Sequence, residues 1–237
     1  TFSQANKLNL IPQSVISDGI KSVAFPMLTK IDEEERLKRA FRKIVRITAF
    51  ICFPTGLLLV VLAEPIVVIL LSAKWIDVVP VLQILAVGGT FFPLLSLTTS
   101  LLQKVGKTGL IFKIELARNI LSLLLLIVTI RYGVHGLASG ISATIVISFI
   151  GAMYISGREI SYSLKELFRD VIPYLCIALI AFTPVFFIGK LGIDNIYISG
   201  VLGLILGCSI YLIIVKLLGS AIIKDAIGFI KDIRNWQ

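Results

Sequence analysis

Long apolar runs alternate with short polar ones from one end of this chain to the other. The runs cover about 8–28, 44–63, 79–103, 108–130, 136–155, 171–188 and 193–218. Each is near the roughly 20 residues that a helix needs to cross about 30 Å of hydrocarbon, so the pattern predicts about seven transmembrane helices. The fold class expected is an all-α integral membrane protein, with residues 1–237 forming one transmembrane domain. Breakers punctuate the runs. Phe53-Pro54 predicts a kink in the second, Glu64-Pro65 ends it, Gly88-Gly89 and Pro93 interrupt the third, and Lys104-Val105-Gly106-Lys107 reads as a tight turn. Gly136, Gly140, Thr144 and Ser148 stand four apart, a stripe that lets a neighbouring helix backbone come close. After Gly219, Ile222, Ile223, Ile227 and Ile230 share one face, which predicts an amphipathic tail over 219–237 lying flat on the inner leaflet.

The longest polar run, Thr29 to Arg46, holds Lys30, Arg36, Lys38, Arg39, Arg42 and Lys43. Short loops rich in Lys and Arg stay on the cytoplasmic side, and this one orients the rest. Asp32 is expected to cap a short helix with Glu33, Glu34 and Glu35 in its first turn, resting on the inner leaflet before the chain re-enters the bilayer. Lys104, Lys107, Arg158, Lys165 and Arg169 fall in the later loops of the same side, whereas Lys7, Lys74, Arg131 and Lys190 fall opposite. The bias places the first residue outside and the C-terminus in the cytoplasm. An odd number of crossings starting outside, and an opening Thr1-Phe2-Ser3 without an initiator Met, suggest that a preceding half is missing.

Composition narrows the class without changing it. The chain is 57% hydrophobic and 16% charged, with a mean hydropathy of +0.98, far from a soluble domain. A net charge of +9 would suggest nucleic acid in a soluble protein, but here it sits in alternate loops, so no nucleic-acid partner is expected. Cys52, Cys176 and Cys208 lack metal-ligand spacing and read as small buried hydrophobes; neither a metal nor another cofactor is expected.

Two runs carry ionised groups where lipid should be. In the first, Lys7, Ser14, Asp18 and Lys21 fall on one helical side. Ionised side chains within a span are costly, which points to a lined polar cavity, or else to Asp18 and Lys21 neutralising each other. In the fourth, Glu115, Arg118, Asn119 and Ser122 make a polar stripe at i, i+3, i+4 and i+7, facing either an aqueous cavity or a partner helix. His135, the sole histidine, is either a proton relay or a satisfied residue at the membrane edge.

Several stretches carry a family likeness: Phe25-Pro26-x-Leu28, the charged stretch ending in Arg39 and Arg42, Phe53-Pro54, Glu64-Pro65 with Ile69-Leu70-Leu71-Ser72-x-Lys74-Trp75, and Leu101-Leu102-Gln103-Lys104-Val105-Gly106-Lys107. Their order resembles the later half of the Wzx-type polysaccharide flippases of the multidrug/oligosaccharidyl-lipid/polysaccharide exporter superfamily. Ser72 stands where a Gly is more usual in that family. The resemblance implies a two-lobed protein of about fourteen spans, of which this chain holds the C-terminal portion and lacks the N-terminal lobe. It implies a transporter and not an enzyme, without catalytic residues, in the bacterial cytoplasmic (inner) membrane. The cargo it implies is undecaprenyl-pyrophosphate-linked oligosaccharide, carried by alternating access for lipopolysaccharide, O-antigen, capsule or exopolysaccharide.

A pyrophosphate needs fixed cations along its route, and Lys21 and Arg118 are the deeply placed ones, with Asn119 beside them as a substrate-binding candidate. Asp18 and Glu115 are the ion-coupling candidates. The alternative is a cation-coupled antiporter of drugs or other small molecules, which would rely on the carboxylates. A membrane-embedded polymerase or glycosyltransferase fits less well, because the outer connections are only a handful of residues long.

Overall fold

The computed structural model describes residues 2–189 and 196–218, which are helical nearly throughout and contain no strand. The tail expected at 219–237 and the start of the last predicted span lie outside the described residues. The described residues form nine α-helices in order: α1 (Phe2–Thr29), α2 (Glu34–Val61), α3 (Ala63–Leu71), α4 (Val79–Gly89), α5 (Phe92–Lys104), α6 (Thr108–Thr129), α7 (Gly133–Gly157), α8 (Leu164–Gly189) and α9 (Ile196–Leu218). Among the described residues, four stretches are long and apolar enough to cross a membrane: Glu34–Val61, Ala73–Lys104, Leu164–Phe186 and Gly200–Leu217. The protein is an all-α, multi-pass membrane protein. The long helices outside that set, α1, α6 and α7, carry the ionised or small polar residues.

α2 is one continuous helix of 28 residues, about 42 Å at 1.5 Å per residue and longer than the hydrocarbon layer is thick. The charged run is therefore the first turns of a membrane helix rather than a separate helix on the leaflet. No breaker separates Arg42 from Ile44, and Leu37, Phe41, Ile44 and Val45 are all buried on one continuous side. Asp32 is not its cap; the N-cap is Glu33, which makes no side-chain cap bond, and Asp32 accepts from Lys104 at 3.1 Å. Pro54 lies inside the helix and deprives the Phe50 carbonyl of its helical donor. The Tyr211 hydroxyl of α9 donates to that carbonyl at 2.9 Å.

The third predicted span divides where Gly88-Gly89 and Pro93 indicate, with α4 ending at Gly89 and α5 starting at Phe92. After α5 the chain reverses through Gly106 at φ +74°. The Lys107 amide donates to the Leu102 carbonyl and the Gly106 amide to Gln103, at 2.9 and 3.1 Å, the paired bonds that close a helix over a left-handed residue.

One core joins α2, α5, α7 and α8 around Phe41, Phe53, Leu97, Met153 and Phe182. A smaller one gathers Ala5, Val67, Leu82 and Ala138 at the other end of α1. α6 has no buried residue and packs chiefly on α7. There the small stripe receives it: a Cβ on Gly136 would meet the Thr129 carbonyl at 2.1 Å, and one on Gly140 the Thr129 hydroxyl at 2.5 Å. Of the cysteines, Cys52 is buried as expected, whereas Cys176 and Cys208 are exposed, because helices in lipid turn apolar residues outward as readily as inward.

Candidate functional site

α1 offers two polar stripes. Asp18 lies on its exposed side and Lys21 is half-buried, and no ion pair joins them among the described residues. The buried stripe is a different one, Asn9, Gln13 and Ser17, each at most 6% exposed. It faces the α4–α5 break and α2, at a partly open pocket lined by Asn9, Gln13, Thr55, Gly56, Gly89 and Thr90 among others. Gln13 lies against Gly89 so closely that a Cβ there would overlap its amide nitrogen at 1.7 Å, and Gly56 makes the same room for the Thr90 hydroxyl. Asn9 Oδ1, Gln13 Nε2 and Ser17 Oγ are buried without a hydrogen-bond partner.

On α6, Glu115 and Arg118 form an ion pair, with side chains 41% and 29% exposed, and Asn119 is exposed. Arg118 lines a crevice of about 180 Å³ against α7, with Ile114, Leu121, Ser148 and Gly151. Ser148 Oγ is buried there without a partner. α1 packs on α5, α4 and α2 whereas α6 packs on α7, so the structure leaves the two charged stripes on separate parts of the chain. A second groove, of about 300 Å³ and almost wholly aliphatic, runs between Val15, Gly19 and Val23 of α1 and Ile44, Ile47 and Ile51 of α2.

The loops rich in Lys and Arg meet at one end. Lys104 reaches the Thr29 carbonyl at 2.8 Å, Lys107 pairs with Glu159, and Lys38 donates to the Ser161 carbonyl at 2.7 Å. Beneath them lies a cluster that the sequence reading missed. Asp170, 3% exposed, accepts from Arg42 Nε and Nη2 at 2.7 and 3.0 Å, from Arg46 Nε at 2.9 Å and from the Tyr162 hydroxyl at 3.0 Å. Glu166 adds Lys38 at 3.0 Å and Arg42 at 3.3 Å. Burial first, and then the Asp170 charge, push the Tyr162 phenol well above its ordinary value, so it stays a neutral donor.

The signal for this cluster was in the spacing: Lys38, Arg42 and Arg46 repeat every four residues, as do Tyr162, Glu166 and Asp170. Ser163 and Glu166 also form a capping box, the Glu166 carboxylate accepting the Ser163 amide at 3.0 Å and the Ser163 hydroxyl accepting the Glu166 amide at 3.3 Å. That box fixes where α8 starts, and so which of its faces meets α2. The arrangement is a brace between helices of this chain, with its charges spent on one another.

Comparison with known proteins bears on what the helices serve. Residues 1–80 match the family described as polysaccharide biosynthesis protein. An uncharacterized membrane protein in the cps region of Klebsiella pneumoniae is 34% identical over 54% of this chain and 27% of its own length. The lipopolysaccharide biosynthesis protein WzxC of Escherichia coli is 29% identical over 51% of the chain and 25% of its own. The succinoglycan biosynthesis transport protein ExoT of Rhizobium meliloti is 24% identical over 94% of the chain and 46% of its own length. The chain spans about half the length of the curated relatives it matches. These matches bear out the resemblance to polysaccharide flippases read from the residues.

Proposed function

We propose that this chain is one lobe of a flippase that moves undecaprenyl-pyrophosphate-linked oligosaccharide across the bacterial cytoplasmic membrane by alternating access. In this reading the chain crosses seven times with its C-terminus in the cytoplasm, and the remainder of a longer protein supplies the other lobe. The observation that carries it is an arginine held within an apolar helix, Arg118 in the α6–α7 crevice, in a chain whose relatives include a named polysaccharide transport protein. An ionised group in that position is costly against acyl chains and useful against a diphosphate. Lys21, half-buried on α1, is the second cation of the route, with Asn119 beside Arg118.

Lys21→Ala and Arg118→Ala in the whole protein should abolish surface polysaccharide at unchanged membrane abundance. Normal polysaccharide from the double variant would remove both residues from the route. The Glu115–Arg118 ion pair favours a second reading, the cation-coupled antiporter, because it spends the arginine's charge on a carboxylate. Asp18→Asn and Glu115→Gln would then impair transport more than the two cation variants do.

A further inference from the structure

The aliphatic groove between α1 and α2 plays no part in the proposed cargo route, yet its floor and its charged end call for an occupant. It runs over Val15 to Val23 of α1, about 12 Å at 1.5 Å per residue. Val15, Gly19 and Ile51 are exposed, so it opens on the bilayer. Among the described residues its lining carries no charge, and the Thr48 hydroxyl there is spent on the Ile44 carbonyl at 2.8 Å. α1 and α2 touch each other, which makes the groove a seam and not a gap for a third helix, about 10–12 Å across.

Gly19 lies in its floor. The missing side chains of Gly56, Gly89 and Gly140 make room for a neighbour, whereas a Cβ on Gly19 would meet nothing within 4 Å. Glycine weakens a helix interior, so space is kept here that no described part of the chain uses. An apolar space left empty forfeits dispersion contacts along its lining, and a groove open to the bilayer can recover them from a hydrocarbon chain. Charge then selects the head of that lipid. α2 divides its cations between two sides: Lys38, Arg42 and Arg46 turn to Glu166 and Asp170, while Arg36 and Lys43 share a helical stripe with Ile47 and Ile51 of the groove. Lys30 follows just past the end of α1. Arg36 meets Glu33 at 2.7 Å, but both side chains are more than half exposed, and such a pair is worth little against a phosphate.

We propose that this groove binds one acyl chain of an anionic phospholipid, with the phosphate held at the basic end by Arg36, Lys43 and Lys30. Cations at the edge of a membrane attract anionic headgroups, and here they stand over a seam shaped for the tail. Bound there, the lipid fastens α1 to the first half of α2. Lys21 stands two residues from Gly19, on the opposite side of α1, and Arg118 lies on α6. The lipid therefore competes with neither cation of the proposed route, and its binding does not depend on what the protein carries.

The test uses the whole protein, purified and delipidated in detergent, with thermal melting and native mass spectrometry in phosphatidylglycerol or phosphatidylcholine of the same acyl chains. The expected result is saturable binding of phosphatidylglycerol, with a melting midpoint about 2–4 °C above that in phosphatidylcholine. Gly19→Ala, which adds only the Cβ, should keep this response, and Gly19→Leu, which fills the groove, should abolish it. Arg36→Gln with Lys43→Gln should weaken phosphatidylglycerol binding roughly thirtyfold and remove the preference between the two lipids. Equal midpoints in the two lipids for the unaltered protein overturn the proposal, as does a preference that survives loss of both cations. A response that survives Gly19→Leu places the lipid elsewhere. No response to either lipid would mean that another part of the whole protein covers the groove, and displacement of phosphatidylglycerol by undecaprenyl pyrophosphate would give the groove to the cargo; each overturns the proposal. No transport enters the assay, so its failure leaves the flippase reading standing, and loss of surface polysaccharide from Arg118→Ala with normal lipid binding bears on that reading alone.

Discussion

Replacing Asp170 by Asn removes the buried carboxylate that two arginines share while keeping the volume of the side chain. In the native protein the carboxylate, 2% exposed, accepts from Arg42 Nε and Nη2 and from the Tyr162 hydroxyl, and both Nε and Nη2 of Arg46 lie against it, at 2.9 and 2.8 Å. The arginine side chains are 25% and 33% exposed, so water offers them limited compensation. Breaking such a buried set by deleting one partner costs roughly 3–5 kcal/mol, and Glu166, 3.3 Å from Arg42 with its side chain 29% exposed, offsets only part of the lost charge. At about 2–4 °C per kcal/mol for a protein of this size, Asp170→Asn should melt at least about 6 °C below the parent. The assay is thermal unfolding of the detergent-solubilised protein, followed by the fluorescence of a fused reporter.

A companion variant carrying Arg42→Met, Arg46→Leu, Tyr162→Phe and Asp170→Leu together should recover most of that loss, because no charge is then stranded. Superimposable melting curves for Asp170→Asn and the parent would refute the reasoning, since they would mean that the arginines are already solvated without their acceptor.

Two further outcomes follow from the backbone. Ser72 holds φ 76° and ψ 162° between α3 and the next turn, a region essentially reserved for glycine that costs other residues about 1–3 kcal/mol. Ser72→Gly should therefore raise the melting midpoint by about 2–4 °C, the strain relieved exceeding glycine's greater freedom in the unfolded chain, and a lowered midpoint would contradict this. Tyr211→Phe should cost about 1 kcal/mol by stranding the Phe50 carbonyl, and much less in a Pro54→Ala background, where the helix supplies its own donor. Additive effects in that double-mutant cycle would show that the hydroxyl and the proline act independently.

The breaks in this fold were legible because they depend on local chemistry. Gly88-Gly89 with Pro93 located the division of α4 from α5, Gly106 located the reversal after it, and the helical spacing put Glu115 and Arg118 on one side of α6. What could not be read was which neighbour each face meets. On α1, Lys7, Ser14, Asp18 and Lys21 and the set Asn9, Gln13 and Ser17 are both helical stripes. The missing side chain of Gly89 on α4, where Gln13 and Asn9 come close, is what lets the second be buried. Hydropathy cannot sort inside from outside when the solvent is itself apolar, which is why Cys176 and Cys208 lie exposed. The charged start of α2 read as a separate surface helix because its partners, Glu166 and Asp170, come more than a hundred residues later.

α6 leaves one further consequence. None of its residues is buried, yet its sides are not equivalent: Phe112, Leu116, Leu123 and Ile127 are largely exposed, while Arg118 is tucked against α7. Rolling the helix about its long axis by half a turn would put the guanidinium into oil and the aliphatic flank against the Ser148 crevice, at a cost of at least about 2.5 kcal/mol. Surrounding lipid or a neighbouring lobe can tip or slide this rod, but its azimuth is keyed.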